Sequence, residues 1–263
     1  MLYFLLSKQF SFPLLGTILN SIYYTLIYAG IVVSCIFIYK RLTENLGYSK
    51  RRIAVFVFLA FLFSFPAGVI SSRAANMFYY PITLWNAEFF GEQFINGKNQ
   101  TFHASLALPA ILIFILMSAF KIRYWEGLDT IFLHIPMAHA FGRTGCFLVG
   151  CCYGNRISFS FLGKEVSFEN PVPLYAVIGN ILLYLFLKRC FNRIYCKENE
   201  RRKGTGTVTA FYLIGYGIMR FCLEMIRKEK IIAFGLTQAQ LVMIVFILAG
   251  GLILYKAKRS RNA

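Results

Sequence analysis

An arginine inside an apolar stretch is expensive at membrane depth and is seldom kept for packing alone. This chain carries one in the run Phe141–Gly154, where Arg143 is followed by Cys146, Cys151 and Cys152 among four glycines. No acid stands at positions 139, 140, 146 or 147, so Arg143 is not neutralised within its own helix. Its partner is then a carboxylate from another segment, or a phosphate, and the planar guanidinium fork suits a phosphodiester. Arg220 and Glu224 lie four apart on one helix face, either as an ion pair that makes both charges tolerable or with Glu224 aiming Arg220 at an anionic headgroup.

Three further sets of residues could take part. His103 precedes an apolar run, where a neutral imidazole could accept a proton from a thiol or hydroxyl near neutral pH. His134 and His139 flank Pro136, and together with Cys146, Cys151 and Cys152 they could be read as a metal set. The vicinal Cys151–Cys152 pair and the lack of a C-x-x-C spacing argue against zinc, so no metal and no cofactor are expected. Such cysteines could instead be reactive thiols, a strained disulfide or small buried groups. Tyr24 and Tyr28, one turn apart, could hydrogen-bond a polar ligand or pack in an aromatic belt.

Those residues need helices to position them. The chain has 263 residues, 58% of them hydrophobic, with 28 Phe and only 15% charged. That is the composition of an integral membrane protein. Apolar runs near 17–39, 53–70, 104–120, 128–150, 172–189, 207–226 and 236–255 are continuous rather than alternating, which predicts helices and not a barrel. The expected fold is an all-α, polytopic integral membrane protein of about seven transmembrane helices, with six the alternative because polar residues weaken the fourth and sixth runs.

The net charge of +17 does not point to nucleic acid, because most basic residues fall in alternate loops: 40–52, 121–127, 188–203 and the tail. The positive-inside rule then puts the N-terminus outside and the C-terminus in the cytoplasm, with the basic loops on anionic inner-leaflet lipid. The outward stretch 71–103 mixes aromatics with isolated charges and predicts an amphipathic arm on the membrane surface. Seven scattered cysteines do not form a disulfide framework.

Several of these segments resemble the bacterial prolipoprotein diacylglyceryl transferase family. Thr101-Phe102-His103 resembles its Ser-Phe-His-Gly-Gly element, and Gly142 to Phe147 its Gly-Arg-x-Gly-Asn-Phe signature. Pro173-Leu174-Tyr175 is similar to Pro-Ser-Gln-Leu-Tyr-Glu, the span Phe211–Glu224 to the arginine-bearing late helix, and Thr237–Leu241 to the start of the last helix. The resemblance covers most of the chain. It implies one transferase-like domain over 1–263 in the bacterial cytoplasmic membrane, with its active site toward the outer side. It also implies transfer of a diacylglyceryl group from an anionic phospholipid, phosphatidylglycerol, to a cysteine thiol of a lipobox-containing preprolipoprotein, releasing glycerol phosphate.

On that resemblance His103 is the base, Arg143 and Arg220 hold the phosphate, Glu224 orients Arg220, and Tyr24 with Tyr28 lines the substrate. Cys146 and Cys151 stand where the family has asparagine and glutamate, inside the substrate-binding segment. Those changes keep two alternatives open: a related transferase with a non-lipoprotein acceptor, and a non-catalytic lipid-binding membrane protein.

Overall fold

A computed structural model describes residues 13–77, 107–161, 164–195, 206–227, 231–233 and 235–262. Each apolar run forms a helix. These are α1 (Pro13–Lys40), α2 (Lys50–Met77), α3 (Ala107–Ala119), α4 (Tyr124–Val149), α5 (Val172–Tyr195), α6 (Thr207–Met225) and α7 (Gln238–Asn262), and a π-helical turn, Arg41–Asn45, follows α1. Among the described residues five helices, α1, α2, α5, α6 and α7, are long and apolar enough to cross a membrane.

The difference from the expected seven lies in α3 and α4. The described part of α3 is apolar but has 13 residues, short of the roughly 20 that a crossing needs. Helix α4 has 26 residues, but Glu126, Asp129, His134, His139 and Arg143 break its apolar run. Of these, Asp129 serves the neighbouring helices α5 and α6. By contrast, Leu182 on α5 and Val245, Leu248 and Leu252 on α7 are 62–64% exposed, as lipid-facing side chains are. The amphipathic arm expected over 71–103 falls, from residue 78 onward, outside the described residues.

The chain divides into two compact units, Leu42–Gly127 and the pair Met1–Arg41 with Leu128–Ala263. In the first, α2 and α3 are antiparallel: Phe56 meets Phe120 at 6.0 Å between ring centroids, and the Leu108 N–H donates to Ser71 Oγ at 3.4 Å. Before α2, Tyr48 Oη donates to Glu126 Oε2 at 2.7 Å, and Arg123 pairs with Oε1 at 3.1 Å. Burial pushes the Tyr48 phenol up to about 12, with the Glu126 carboxylate adding to the rise against the opposing Arg123.

In the second unit α4 and α6 run parallel. Asp129 meets Thr209, Phe132 meets Tyr212 at 5.0 Å, and His139 meets Tyr216 at 5.3 Å, so both helices advance together. Helix α1 runs antiparallel to α4: Ser34 Oγ donates to the His134 carbonyl at 3.3 Å, while Tyr23 lies against Gly145. Helix α5 is antiparallel to α6 through Gly179 on Met219 and Leu183 on Gly215. Helix α7 is antiparallel to α6 through Met243 and Ile247 on Gly217 and Ala210 on Gly250.

The start of α6 explains why α4 and α6 are in register. Its N-cap is Gly206, which has no side chain to satisfy the first free amides. The fully buried Asp129 of α4 supplies the cap instead, accepting from Thr209 N–H at 2.8 Å and Thr209 Oγ at 2.7 Å. Its other oxygen accepts from Tyr195 Oη at the end of α5, at 2.8 Å. A carboxylate at a helix N-terminus also gains from the helix dipole. One side chain therefore ties three helices at the end opposite Arg143 and Arg220.

Two small hairpins add strand to the helical fold. Strands β1 (Arg156–Phe161) and β2 (Lys164–Glu169) pair antiparallel from Arg156 opposite Glu169 to Phe161 opposite Lys164. Strands β3 (Ile231–Ala233) and β4 (Leu236–Thr237) form the second, immediately before α7. The period-two alternation in Arg156–Phe161 is the local signal for the first.

Candidate active site

Tyr212, Tyr216, Arg220 and Glu224 recur every four residues and form one ridge along α6. Tyr212 and Tyr216 stack at 5.4 Å with 10° between planes, which fixes the ridge up to Arg220. Arg220 Nη2 then pairs with Glu224 Oε2 at 2.7 Å, and Arg227 Nη1 approaches the same oxygen at 3.6 Å. The Glu224 side chain is 3% exposed, against 12% and 15% for the two arginines. The carboxylate is thus the buried base of the cluster, and the guanidinium groups reach outward from it.

Glu224 is itself held by the start of α7. Thr237 Oγ donates to its Oε1 at 3.4 Å. Thr237 and Gln240 form a reciprocal capping box, with Thr237 N–H donating to Gln240 Oε1 at 3.0 Å and Gln240 N–H to Thr237 Oγ at 3.3 Å. The Thr-x-x-Gln spacing marks that cap in the sequence, but its link to Glu224 joins residues on different helices.

Arg143 comes from the last turns of α4, in register with Arg220. Both guanidinium groups lie within electrostatic reach of Tyr216 and His139. Arg143 makes no ion pair with any described residue, so of the two expected partners, a phosphate or a carboxylate from another span, the carboxylate is not found among them. Arg143 and Arg220 thus stand with Glu224 as the one carboxylate that either pairs with among the described residues. That excess of positive charge in a largely buried place suits an anion with more than one negative oxygen.

The cysteines lie beside Arg143. Helix α4 ends at Gly150, whose φ of 80° is the left-handed conformation that closes many helices. The carbonyl of Cys146 accepts from Gly150 N–H at 3.1 Å and Cys151 N–H at 3.0 Å. Cys152 also takes a left-handed φ of 61°, uncommon for a residue with a side chain, and so turns the chain back over the helix end. The sulfur atoms of Cys146, Cys151 and Cys152 all lie within 4.8 Å of one another. Hydrogen bonds from Cys146 and Cys151 hold the Cys152 thiol below the ordinary thiol range, with Arg143 and Arg227 adding to the effect. The Cys151 thiol is pushed up by hydrogen bonds with Cys146 and Cys152 and by burial. Beyond the turn, Gly154 N–H bonds to Asn170 O and Asn155 N–H to Ile226 O, each at 2.9 Å, which ties the segment to the end of α6.

The structure therefore brings together Arg143, Cys146, Cys151, Arg220 and Glu224. His103 lies outside the described residues. Tyr24 and Tyr28 sit on α1 with side chains 53% and 45% exposed. Their neighbour Tyr23 is the tyrosine on the site: a Cβ at Gly145 would stand 2.9 Å from its ring, and it lies within electrostatic reach of Arg143 and all three thiols. Of the five-residue metal set, only the cysteines converge. His134 is fully buried between Phe37 and Tyr184, and His139 lies against Tyr216. Tyr23, Tyr216, Arg227, Thr237 and Gln240 were not singled out by residue type, because their roles depend on which helices are neighbours.

Comparison with known proteins points the same way as this geometry. The profile of the family described as prolipoprotein diacylglyceryl transferase matches residues 12–256. A phosphatidylglycerol–prolipoprotein diacylglyceryl transferase of Finegoldia magna is 27% identical over 205 residues, covering 75% of this chain and 77% of that protein. A protein of the same name from Clostridium perfringens is 26% identical over 240 residues, 89% of each chain. One from Streptococcus pneumoniae is 27% identical over 246 residues, 89% of this chain and 90% of its own. With its arginine-bearing helices inside a match that runs almost end to end, the chain belongs to the prolipoprotein diacylglyceryl transferase family.

Proposed function

We propose that this protein transfers a diacylglyceryl group from phosphatidylglycerol to a cysteine thiol of a lipobox-containing preprolipoprotein. The observation that carries the reading is Arg143, in no ion pair with any described residue, beside the largely buried Arg220–Glu224 pair. In the reaction the acceptor sulfur forms a bond to the glyceryl carbon esterified to phosphate, and that carbon–oxygen bond breaks. The oxygen keeps the electron pair and leaves as glycerol phosphate, while the thiol proton passes to a base.

The phosphodiester carries one negative charge and the departing monoester develops a second. Arg143 and Arg220 therefore bind the transition state more strongly than the donor, which is the condition for catalysis. Glu224 holds Arg220 in place. The base is His103 by resemblance to the family's histidine element. Tyr24 and Tyr28, on the exposed face of α1, would meet lipid, and Tyr23 would meet the headgroup.

The helix directions support a bacterial cytoplasmic membrane protein of seven spans, in which α3 and α4 cross with the other five. Lys40 and Arg193 stand in the last turns of α1 and α5, Lys256, Lys258 and Arg259 lie toward the end of α7, and α6 begins beside Asp129 at that same end. By the positive-inside rule that end is cytoplasmic, and the arginine cluster faces the outer side. The test is to incubate purified protein with labelled phosphatidylglycerol and a lipobox peptide and to identify products by mass. The peptide is expected to gain a diacylglyceryl group on its cysteine. Donor consumption with no modified peptide would overturn the lipoprotein acceptor.

A further inference from the structure

We propose that Cys146, Cys151 and Cys152 bind one Zn²⁺ ion through three thiolates, and that its fourth position takes the sulfur of the acceptor cysteine. The second part rests on the transferase reading above; the first does not.

The sulfurs already lie within 4.8 Å of one another. Tetrahedral zinc with bonds of about 2.3 Å sets sulfurs roughly 3.8 Å apart, so closing on an ion needs only small side-chain rotations. The backbone is committed to the arrangement. The Cys146 carbonyl holds the turn through two amides, and Cys152 adopts the left-handed φ that returns its side chain to the helix end. An odd number of thiols cannot all be consumed as disulfides within the cluster, and a Cys151–Cys152 bridge would span a single peptide bond.

A sulfur-only set selects a thiophilic ion over magnesium or calcium. Three thiolates and Zn²⁺ leave one net negative charge, and the guanidinium groups of Arg143 and Arg227 lie within electrostatic reach of Cys152 to balance it. Three protein ligands are also the number found where zinc keeps a position open. An acceptor thiol entering that position would pass its proton to the base of the proposed reaction and bind as thiolate, the nucleophilic form, beside the arginines proposed to hold the donor phosphate. Cys146 and Cys151 stand where the family resemblance gives asparagine and glutamate, so this chain carries soft metal ligands at positions that hold polar groups in the family.

The test uses the full-length protein in detergent, reduced under anaerobic conditions and titrated with Co²⁺ as a spectroscopic substitute. The expected result is a thiolate-to-cobalt charge-transfer band that saturates at one ion per chain and is lost in C146S, C151S and C152S. In the wild-type protein, Zn²⁺ should protect these three cysteines from N-ethylmaleimide and leave Cys35, Cys190 and Cys222 as reactive as before, a readout that needs no variant to fold. A lipobox peptide should shift the cobalt ligand-field bands, and its serine analogue should not. No band, a band that survives in the serine variants, or a disulfide that takes up no metal after reduction would overturn the site. A band indifferent to the cysteine peptide would overturn the fourth ligand. Peptide sulfur bound to cobalt without any diacylglyceryl product would support this inference and count against the transferase reading.

Discussion

Thr237 donates its hydroxyl to Glu224 Oε1 across 3.4 Å while Arg220 grips the other oxygen at 2.7 Å. The cap of the last helix thus fixes the carboxylate that pairs with Arg220. Thr237→Ser keeps the hydroxyl and is expected to leave activity within a few-fold of wild type. Thr237→Val removes it, costs about 1 kcal/mol from the lost cap and frees Glu224, so kcat should fall more than thermal stability does. Equal loss of activity in both variants would show that the hydroxyl has no such part.

Arg143 should show the proposed contribution to donor binding most cleanly, because it makes no ion pair with any described residue. Arg143→Gln is expected to lower kcat/KM for the donor by about 100- to 1000-fold with little change in melting temperature. Glu224→Gln should behave differently. It removes the carboxylate that Arg220 pairs with at 2.7 Å in a buried place, at a cost of about 3 kcal/mol or more. Activity and melting temperature measured together separate the two patterns.

Asp129 lies far from the thiols but sets the register of α4 on α6. Asp129→Ala strips the acceptor from Thr209 and Tyr195 and is expected to cost about 3 kcal/mol. Asp129→Asn keeps an acceptor and loses the interaction with the helix dipole, about 1 kcal/mol. Thermal unfolding in detergent checks the order; an Asn variant as damaged as the Ala variant would contradict it.

How far these relationships could be read in the sequence depended on their range. The seven apolar runs all became helices, because continuous hydrophobicity is a local property. Arg143, Arg220 and Glu224 were legible as charges in apolar surroundings, and Glu224 was legible as the partner of Arg220 because both lie on one helix. Asp129 was not, since its meaning is a cap placed on another helix 80 residues away. Cys146, Cys151 and Cys152 could be grouped with His134 and His139 in the sequence, but only helix packing separates the converging thiols from the two histidines. Tyr24 matched the family pattern by neighbourhood, but the face of α1 that meets Gly145 carries Tyr23.

The conformation of Cys152 gives a further test. A left-handed residue with a side chain costs about 1 kcal/mol or more relative to glycine. Cys152→Gly should raise the melting temperature or leave it unchanged while abolishing the thiol's contribution to the cluster. A marked fall in stability would mean that the side chain is retained for packing.

Tyr48 provides a pH signature away from the membrane. Its phenol, buried beside Glu126, is raised to about 12 in the folded protein. Its contribution to stability is therefore complete below the unfolded tyrosine value of about 10 and is lost as pH rises through about 12. The difference in phenolate absorbance between wild type and Tyr48→Phe should show this late titration. A midpoint near the unfolded value would remove Tyr48 from the Glu126 contact.

The central claim is that the arginine cluster drives release of a phosphate monoester from an anionic phospholipid. It is tested most directly by following glycerol phosphate freed from headgroup-labelled phosphatidylglycerol, with and without a cysteine peptide, in wild type and Arg143→Gln. The expected result is release that depends on the thiol, matches thioether formation mole for mole, and disappears in the variant. Release that ignores the thiol, or that persists at the wild-type rate in Arg143→Gln, would contradict the account.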